Sequence, residues 1–149
     1  MQLMQATDAA RLAGVTVHQL REWCTRRDIL PPDVPGAGRG RHALFSWQTV
    51  LAVRLLHELS QRFGVEVGAW RGAIRAFRTS VDGRSFPILW SAYAQFSDRD
   101  HAILTTSPSI DEGSLLILPL APHLQAIAQD FALPPESQLP LFPAVGLRQ

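Results

Sequence analysis

Several polar side chains are spaced to reach a nucleic acid from the start of one short predicted helix. They are Thr16, His18, Gln19 and Arg21, with Arg26 near the end of the same helix. Glutamine can bond the adenine edge through two hydrogen bonds, and histidine or threonine can reach base acceptors or phosphates. Arginine neutralises phosphate and releases counterions. These residue types near a helix N-terminus predict contacts with the major groove of double-stranded DNA.

A second basic group lies in the segment 33–45, which is rich in glycine and arginine. Glycine-rich segments form either tight hairpins or mobile loops, and the sequence leaves both open. In either form, Arg39 and Arg41 can follow the phosphate backbone or enter the minor groove. We therefore add both arginines to the candidate DNA contacts.

The charge is divided unevenly along the chain. Residues 1–78 contain eleven arginines and six acidic residues, which gives +5, and residues 79–149 contain three arginines and seven acidic residues, which gives −4. The sum is the overall net charge of +1. This division predicts a polyanion-binding part joined to a separate partner-binding part.

Catalytic and metal-binding motifs are missing from the sequence. It has no dinucleotide-binding, P-loop or H-E-x-x-H motif, and we predict no enzyme activity, cofactor or metal. Asp98, Asp100 and His101 cluster, but a polar turn explains them as well as a metal or acid–base site does. A single cysteine, Cys24, excludes an internal disulfide. With no membrane-spanning apolar run and no secretory signal, we expect a cytoplasmic location.

The elements that position the candidate residues form a predicted helix-turn-helix. Residues 7–14 predict a first helix that Thr7 caps and Gly14 ends. Thr16 and Gln19 have capping-box spacing at the start of the second helix. One face of that helix carries Val17, Leu20, Trp23 and Cys24, so we interpret Trp23 and Cys24 as core residues. Pro31 and Pro32 end the unit.

Further helices and strands follow. Ser46 is predicted to cap a helix over 47–62, and a second helix over 66–78 is amphipathic. We interpret the arginine row on that second helix (Arg71, Arg75 and Arg78) as solvated. Beyond a turn at 79–84 we predict strands at 86–93, 101–106 and 114–118, then a helix over 122–132. The first strand is ambiguous, because its apolar residues also fit helical spacing.

In its first half the sequence resembles the MerR-type winged helix-turn-helix family. The matching segments are Leu12-Ala13-Gly14-Val15-Thr16, Leu20-Arg21, Trp23, Ile29-Leu30-Pro31-Pro32 and Phe45-Ser46. The resemblance covers residues 5–78 and implies a DNA-binding domain in which Arg21 contacts phosphate. Two positions depart from the family: Glu22-Trp23 replaces a pair of aromatics, and His42-Ala43-Leu44-Phe45 replaces the arginine-containing end of the wing.

We therefore predict an α+β protein. A winged helix-turn-helix domain (1–78) precedes a small C-terminal region of strands and then a helix (79–132), and a proline-rich tail (133–149) follows. Family members usually continue into a long dimerising helix, which this sequence lacks. So small a C-terminal region buries little surface alone, so it must pack on the first half, a second copy or another protein. We expect residues 84–132 to dimerise the chain or bind a regulatory protein.

These patterns lead to one main hypothesis and two alternatives. The main hypothesis is a sequence-specific transcriptional regulator that binds double-stranded DNA as a homodimer. The first alternative is an architectural or recombination factor of the excisionase type. The second is an antitoxin-like adaptor whose C-terminal region neutralises a protein partner.

Overall fold

A computed structural model describes residues 2–109, 113 and 116–128. Its first elements are strand β1 (Leu3–Gln5) and helix α1 (Ala6–Ala13). Gly14 ends α1 at a φ of 74°, as predicted, because glycine adopts this left-handed conformation without a Cβ clash. The predicted Thr7 cap is wrong. Strand β1 leads directly into the helix, so Gln5 occupies the cap position and Thr7 lies in the first turn.

The second helix of the pair, α2, spans Val17–Arg21 and continues as a π-helical turn over Glu22–Arg26. Its predicted capping box is confirmed: the Thr16 hydroxyl accepts the Gln19 N–H at 3.0 Å, and Gln19 Oε1 accepts the Thr16 N–H at 3.0 Å. The helical segment ends at Arg26, before the two prolines, and Asp28 just beyond it has a φ of 49°.

A hairpin formed by residues 34–44, called here the basic hairpin, follows. Val34 and Leu44 exchange backbone hydrogen bonds of 3.1 and 2.9 Å, and the Ala37 N–H donates to the Arg41 carbonyl. Strand β2 (Leu44–Ser46) continues the hairpin and pairs antiparallel with β1. Of the two conformations that the sequence left open, the structure has the hairpin.

Two longer helices form the centre of the molecule. Helix α3 (Trp47–Phe63) begins at the predicted Ser46 cap, whose hydroxyl accepts the Thr49 N–H at 3.3 Å. A 3₁₀ turn (Val67–Trp70) then leads into helix α4 (Arg71–Val81). Helix α4 therefore continues past the predicted end at residue 78.

The C-terminal elements begin with a helix where a strand was predicted. Helix α5 (Phe86–Leu89) has Pro87 in its first turn, where the missing proline N–H costs no helical hydrogen bond, so the predicted strand at 86–93 is wrong. The antiparallel sheet has the order β4-β3-β5, and helix α6 follows it. The elements are β3 (Tyr93–Phe96), β4 (Ala102–Thr105), β5 (Leu116–Pro119) and α6 (Ala121–Ala128). The predicted parts at 114–115 and 129–132 and the tail lie outside the described residues.

One hydrophobic core joins the two halves of the chain. Phe96 of β3 packs against Trp70 and Phe77, with ring centroids 6.0 and 6.5 Å away. The Ala73 N–H at the start of α4 donates to the Arg99 carbonyl at 2.9 Å. The C-terminal sheet therefore packs on α4. No helix among the described residues is long and apolar enough to cross a membrane.

Candidate nucleic-acid interface

Helix α2 has a buried face and an exposed face. Leu20, Trp23 and Cys24 are buried in the core, as predicted. Burial raises the pKa of the Cys24 thiol to about 12, with the Asp33 charge contributing, so this cysteine is protonated at neutral pH. Because the apolar face is fixed in the core, the opposite face with Thr16, His18 and Arg21 is directed to solvent.

A groove of about 320 Å³ lies between α2 and the basic hairpin. Arg21 and Arg26 line it from the side of α2 and its π-helical turn, and Arg41 lines it from the hairpin. The fold therefore brings together three arginines that are up to 20 positions apart in the sequence. Arg39 lies in the turn of the hairpin and is not part of this groove.

The arginines of residues 1–78 divide into bound and unbound side chains. Those with a partner are Arg11, Arg26, Arg27, Arg54, Arg62, Arg71, Arg75 and Arg78. The side chains of Arg21, Arg39 and Arg41 form no ion pair or hydrogen bond with any residue that the structure describes. An exposed guanidinium in this state keeps all its donors for an external anion.

The arginine row on α4 is not simply solvated, so that interpretation was wrong. Arg71 Nη2 donates to the Arg27 carbonyl at 2.6 Å. Arg75 donates to the carbonyls of Asp28 and Ile29 at 2.5 and 2.9 Å. The α4 arginines therefore supply partners to three backbone carbonyls just after the π-helical turn and hold the segment that follows α2.

Arg78 has a different role, at the base of the basic hairpin. It binds Asp33 at 2.9 Å, and the Asp33 carboxylate also accepts the backbone N–H and the hydroxyl of Ser46 at 2.7 and 2.9 Å. Burial by itself raises the pKa of Asp33, but these hydrogen bonds outweigh it and hold the pKa below its ordinary value. The ionised carboxylate therefore joins the hairpin to the start of α3 and to the last turn of α4.

The capping box constrains what Gln19 can do. Its Oε1 accepts the Thr16 N–H, so only the two amide N–H groups are available to an outside ligand. A bidentate contact with adenine needs both the oxygen and the nitrogen of the amide. Such a contact requires Gln19 to leave the cap, whereas His18 is exposed and needs no rearrangement.

The acidic cluster of the C-terminal region forms a turn. The Asp98 carboxylate accepts the N–H groups of Asp100 and His101 and also bonds the His101 ring at 2.8 Å. Within the described residues no group of three or more histidine, cysteine or acidic side chains is arranged to hold a metal ion.

Sequence reasoning missed Asp33 and Arg54, which are central to the observed contacts. A charged residue beside the proline pair, and another among the apolar residues of α3, were the available signals. Both residues bind partners far away in the sequence, which one sequence alone does not identify.

Comparison with known families gives a match over residues 4–76, to the family described as "MerR HTH family regulatory protein". The match includes α1, α2, the basic hairpin, α3 and the first part of α4. A comparison with curated proteins found no match.

Proposed function

Because residues 4–76 form a MerR-type helix-turn-helix DNA-binding domain, we propose that this regulator recognises a specific sequence in double-stranded DNA as a homodimer. The observation that carries the proposal is the distribution of arginines. Within residues 1–78, the arginine side chains that lack a described partner are on α2 and the basic hairpin, which supports these two elements as the DNA-contacting surface.

In this proposal α2 enters the major groove. Thr16, His18 and Gln19 contact base edges or nearby phosphates, and Arg21 and Arg26 contact the phosphate backbone. Arg26 is paired with Glu22 at 3.2 Å, and its side chain is 72% exposed, so it can exchange this partner for phosphate. Arg39 and Arg41 follow the backbone or enter the minor groove.

The C-terminal region is the proposed contact with a second copy or a regulatory protein. Two of its isoleucines, Ile88 and Ile103, are 52% exposed, which supports a protein-binding role. A two-fold dimer presents two α2 helices about one helical turn of DNA apart, on a partly palindromic site.

The direct test is DNA binding by the full chain, titrated with salt, on duplexes selected from a random library. Arg21→Ala and Arg41→Ala should weaken binding to all sequences, and each should reduce the slope of log K against log salt by about 1. Arg62→Ala is the control, since its side chain is 69% exposed on α3 and lies outside α2, the basic hairpin and the C-terminal region.

Two outcomes would contradict the proposal. Folded protein that binds no duplex at low salt excludes DNA recognition. Selected sites without repeated half-sites, together with a monomeric mass in sedimentation, exclude the homodimer.

A further inference from the structure

A chain of polar contacts connects the C-terminal helix to the first helix of the helix-turn-helix. At its centre is Arg54 on α3. Arg54 Nη1 donates to the Leu12 carbonyl at 2.6 Å, and Arg54 Nε donates to His123 Nδ1 at 3.2 Å. His123 Nε2 lies 2.5 Å from Glu58 Oε2. Thus α6 reaches α1 through two side chains.

The Leu12 carbonyl lies where α1 ends and the turn to α2 begins. The carbonyls just before it, of Ala10 and Arg11, accept the N–H groups of Val15 and Gly14. The Leu12 carbonyl receives its hydrogen bond from Arg54. Arg54 thereby gives a partner to a third carbonyl among the last four of α1.

The contacts determine the protonation state of His123. A guanidinium has only donors, so Nδ1 must be the acceptor and the neutral ring carries its proton on Nε2, which donates to Glu58. A protonated imidazole would direct an N–H from Nδ1 at the Arg54 N–H. Protonation of His123 and its hydrogen bond from Arg54 are therefore mutually exclusive.

Other charged groups surround this contact. Within the described residues, the groove of about 440 Å³ beside it is lined by the charged or titratable side chains of Arg54, His57, Glu58, Arg62 and His123, all from α3 and α6. Residues Ala13 and Gly14, from the α1 side, carry no charge. Arg62 binds the other Glu58 oxygen at 2.7 Å, and only 11% of the His123 side chain is exposed.

We propose that His123 is a positioning residue for the helix-turn-helix: from α6 it holds Arg54 on the Leu12 carbonyl and so fixes the turn between α1 and α2. Neutral His123 keeps the turn in the conformation that presents α2, and protonated His123 releases it. The C-terminal region thereby contributes directly to the geometry of the DNA-binding half. The proposal rests on the proposed function only for its effect on DNA affinity.

Burial lowers the pKa of His123 below its ordinary value; the Glu58 charge opposes the shift and the Arg54 charge adds to it. Burial and the Arg54 charge also lower the pKa of His57. The release therefore occurs below about pH 6.5. Because the pKa of His57 is lowered as well, the difference between wild type and a His123 variant isolates His123.

The first experiment needs no DNA. Hydrogen-exchange protection factors of the Gly14 and Val15 amides are measured in the full chain between about pH 7.5 and pH 5. His123→Ala should lower both protection factors about fivefold at pH 7.5, equivalent to about 1 kcal/mol. His123→Gln offers an amide oxygen to Arg54 and an amide N–H to Glu58 and does not titrate. His123→Gln should keep the wild-type protection factors at pH 7.5. Its protection factors should fall less than those of wild type as the pH is lowered.

His101→Ala is the matched control, because His101 is an exposed histidine of the C-terminal region that bonds Asp98. It should behave as wild type. The proposal is overturned if His123→Gln retains the full wild-type pH dependence, or if folded His123→Ala leaves the two amides unchanged. If His123→Ala does not fold, the pH dependence of the protection factors in wild type and in His123→Gln still tests the proposal.

The second experiment repeats the series with the selected duplex. DNA affinity should fall about fivefold in His123→Ala relative to wild type. Lowering the pH to about 5 should weaken DNA binding more in wild type than in His123→Gln. Wild type that binds no duplex refutes the proposed function, while the protection factors still test the role of His123. Wild type that binds with equal affinity in every variant and at every pH shows that His123 does not position the DNA-binding surface.

Discussion

Asp33 and Arg78 form an ion pair at 2.9 Å, with only 14% and 16% of their side chains exposed. Asp33 is at the base of the basic hairpin and Arg78 is on α4, so the pair connects the hairpin to the last helix of the family match. Asp33 also accepts two hydrogen bonds from Ser46, the cap of α3. The position of the hairpin relative to α2 therefore depends on a contact that lies outside the candidate DNA surface.

Replacing Arg78 with an uncharged residue should destabilise the whole domain. We expect Arg78→Met to lower the free energy of unfolding by about 3 kcal/mol, because it leaves a largely buried carboxylate without its charged partner. Urea denaturation measures the change. Asp8→Asn is the control: it removes a pair with Arg11 whose side chains are both 59% exposed, and should cost less than about 1 kcal/mol. Equal losses in both variants would contradict the special role of the Arg78 pair.

The lowered pKa of Asp33 predicts that the stability of the protein falls at acidic pH. Since the folded pKa of Asp33 is below its ordinary value, the protein gains stability from this group above about pH 4 and loses it as pH falls through the folded pKa. Urea midpoints between pH 5 and pH 2 should therefore fall less steeply in Asp33→Asn than in wild type. Parallel curves would show that Asp33 has the same pKa in the folded and unfolded states.

Local sequence signals predicted several helix ends, although the Thr7 cap was wrong and α4 runs past residue 78. Thr16 with Gln19, and Ser46 with Thr49, cap helices over three positions, and Gly14 stops α1. Such contacts depend on neighbouring residues only. Helix α5 was missed because a short apolar segment fits both a strand and a helix.

The long-range contacts could not be predicted in the same way. Arg78 binds Asp33 from 45 positions away, and Arg54 binds His123 from 69 positions away. Periodicity places an arginine on a helix face but does not say what lies opposite that face. For this reason the sequence suggested solvated arginines on α4, where the structure has bonds to the carbonyls after α2.

Variants of Gln19 and His18 should show that one residue stabilises the helix and the other determines the preferred DNA sequence. Gln19→Ala removes one half of the capping box and should cost about 0.5–1 kcal/mol in unfolding free energy. His18→Ala, at an exposed position, should change stability by less than about 0.5 kcal/mol and yet alter the selected DNA sequence. Urea denaturation and site selection measure the two effects. A His18 variant with wild-type preference would remove this residue from the base contacts.

Cys24 should be almost inert in the folded protein. With a thiol pKa of about 12, its thiolate fraction at pH 8 is roughly a thousandfold below that of a free cysteine. A thiol-reactive disulfide reagent should therefore modify it slowly in buffer and rapidly in concentrated urea. Cys24→Ser provides the background rate. Rapid modification of the folded chain would contradict a buried cysteine and would favour a sensing role.

The two kinds of arginine should differ in the salt dependence of DNA binding. Arg75 donates to the carbonyls of Asp28 and Ile29, whereas the Arg41 side chain lacks a partner in the described part of the chain. Arg75→Met should therefore cost about 1–2 kcal/mol of stability and weaken DNA binding by displacing the segment that follows α2. It should leave the salt slope unchanged, because no phosphate contact is lost.

Arg41→Met should give the opposite result. Its stability should stay within about 0.5 kcal/mol of wild type, while the slope of log K against log salt falls by about 1. The comparison is matched, since each variant removes one positive charge and keeps a long side chain. A reduced slope in Arg75→Met would make Arg75 a phosphate contact, and an unchanged slope in Arg41→Met would exclude the hairpin from the DNA interface.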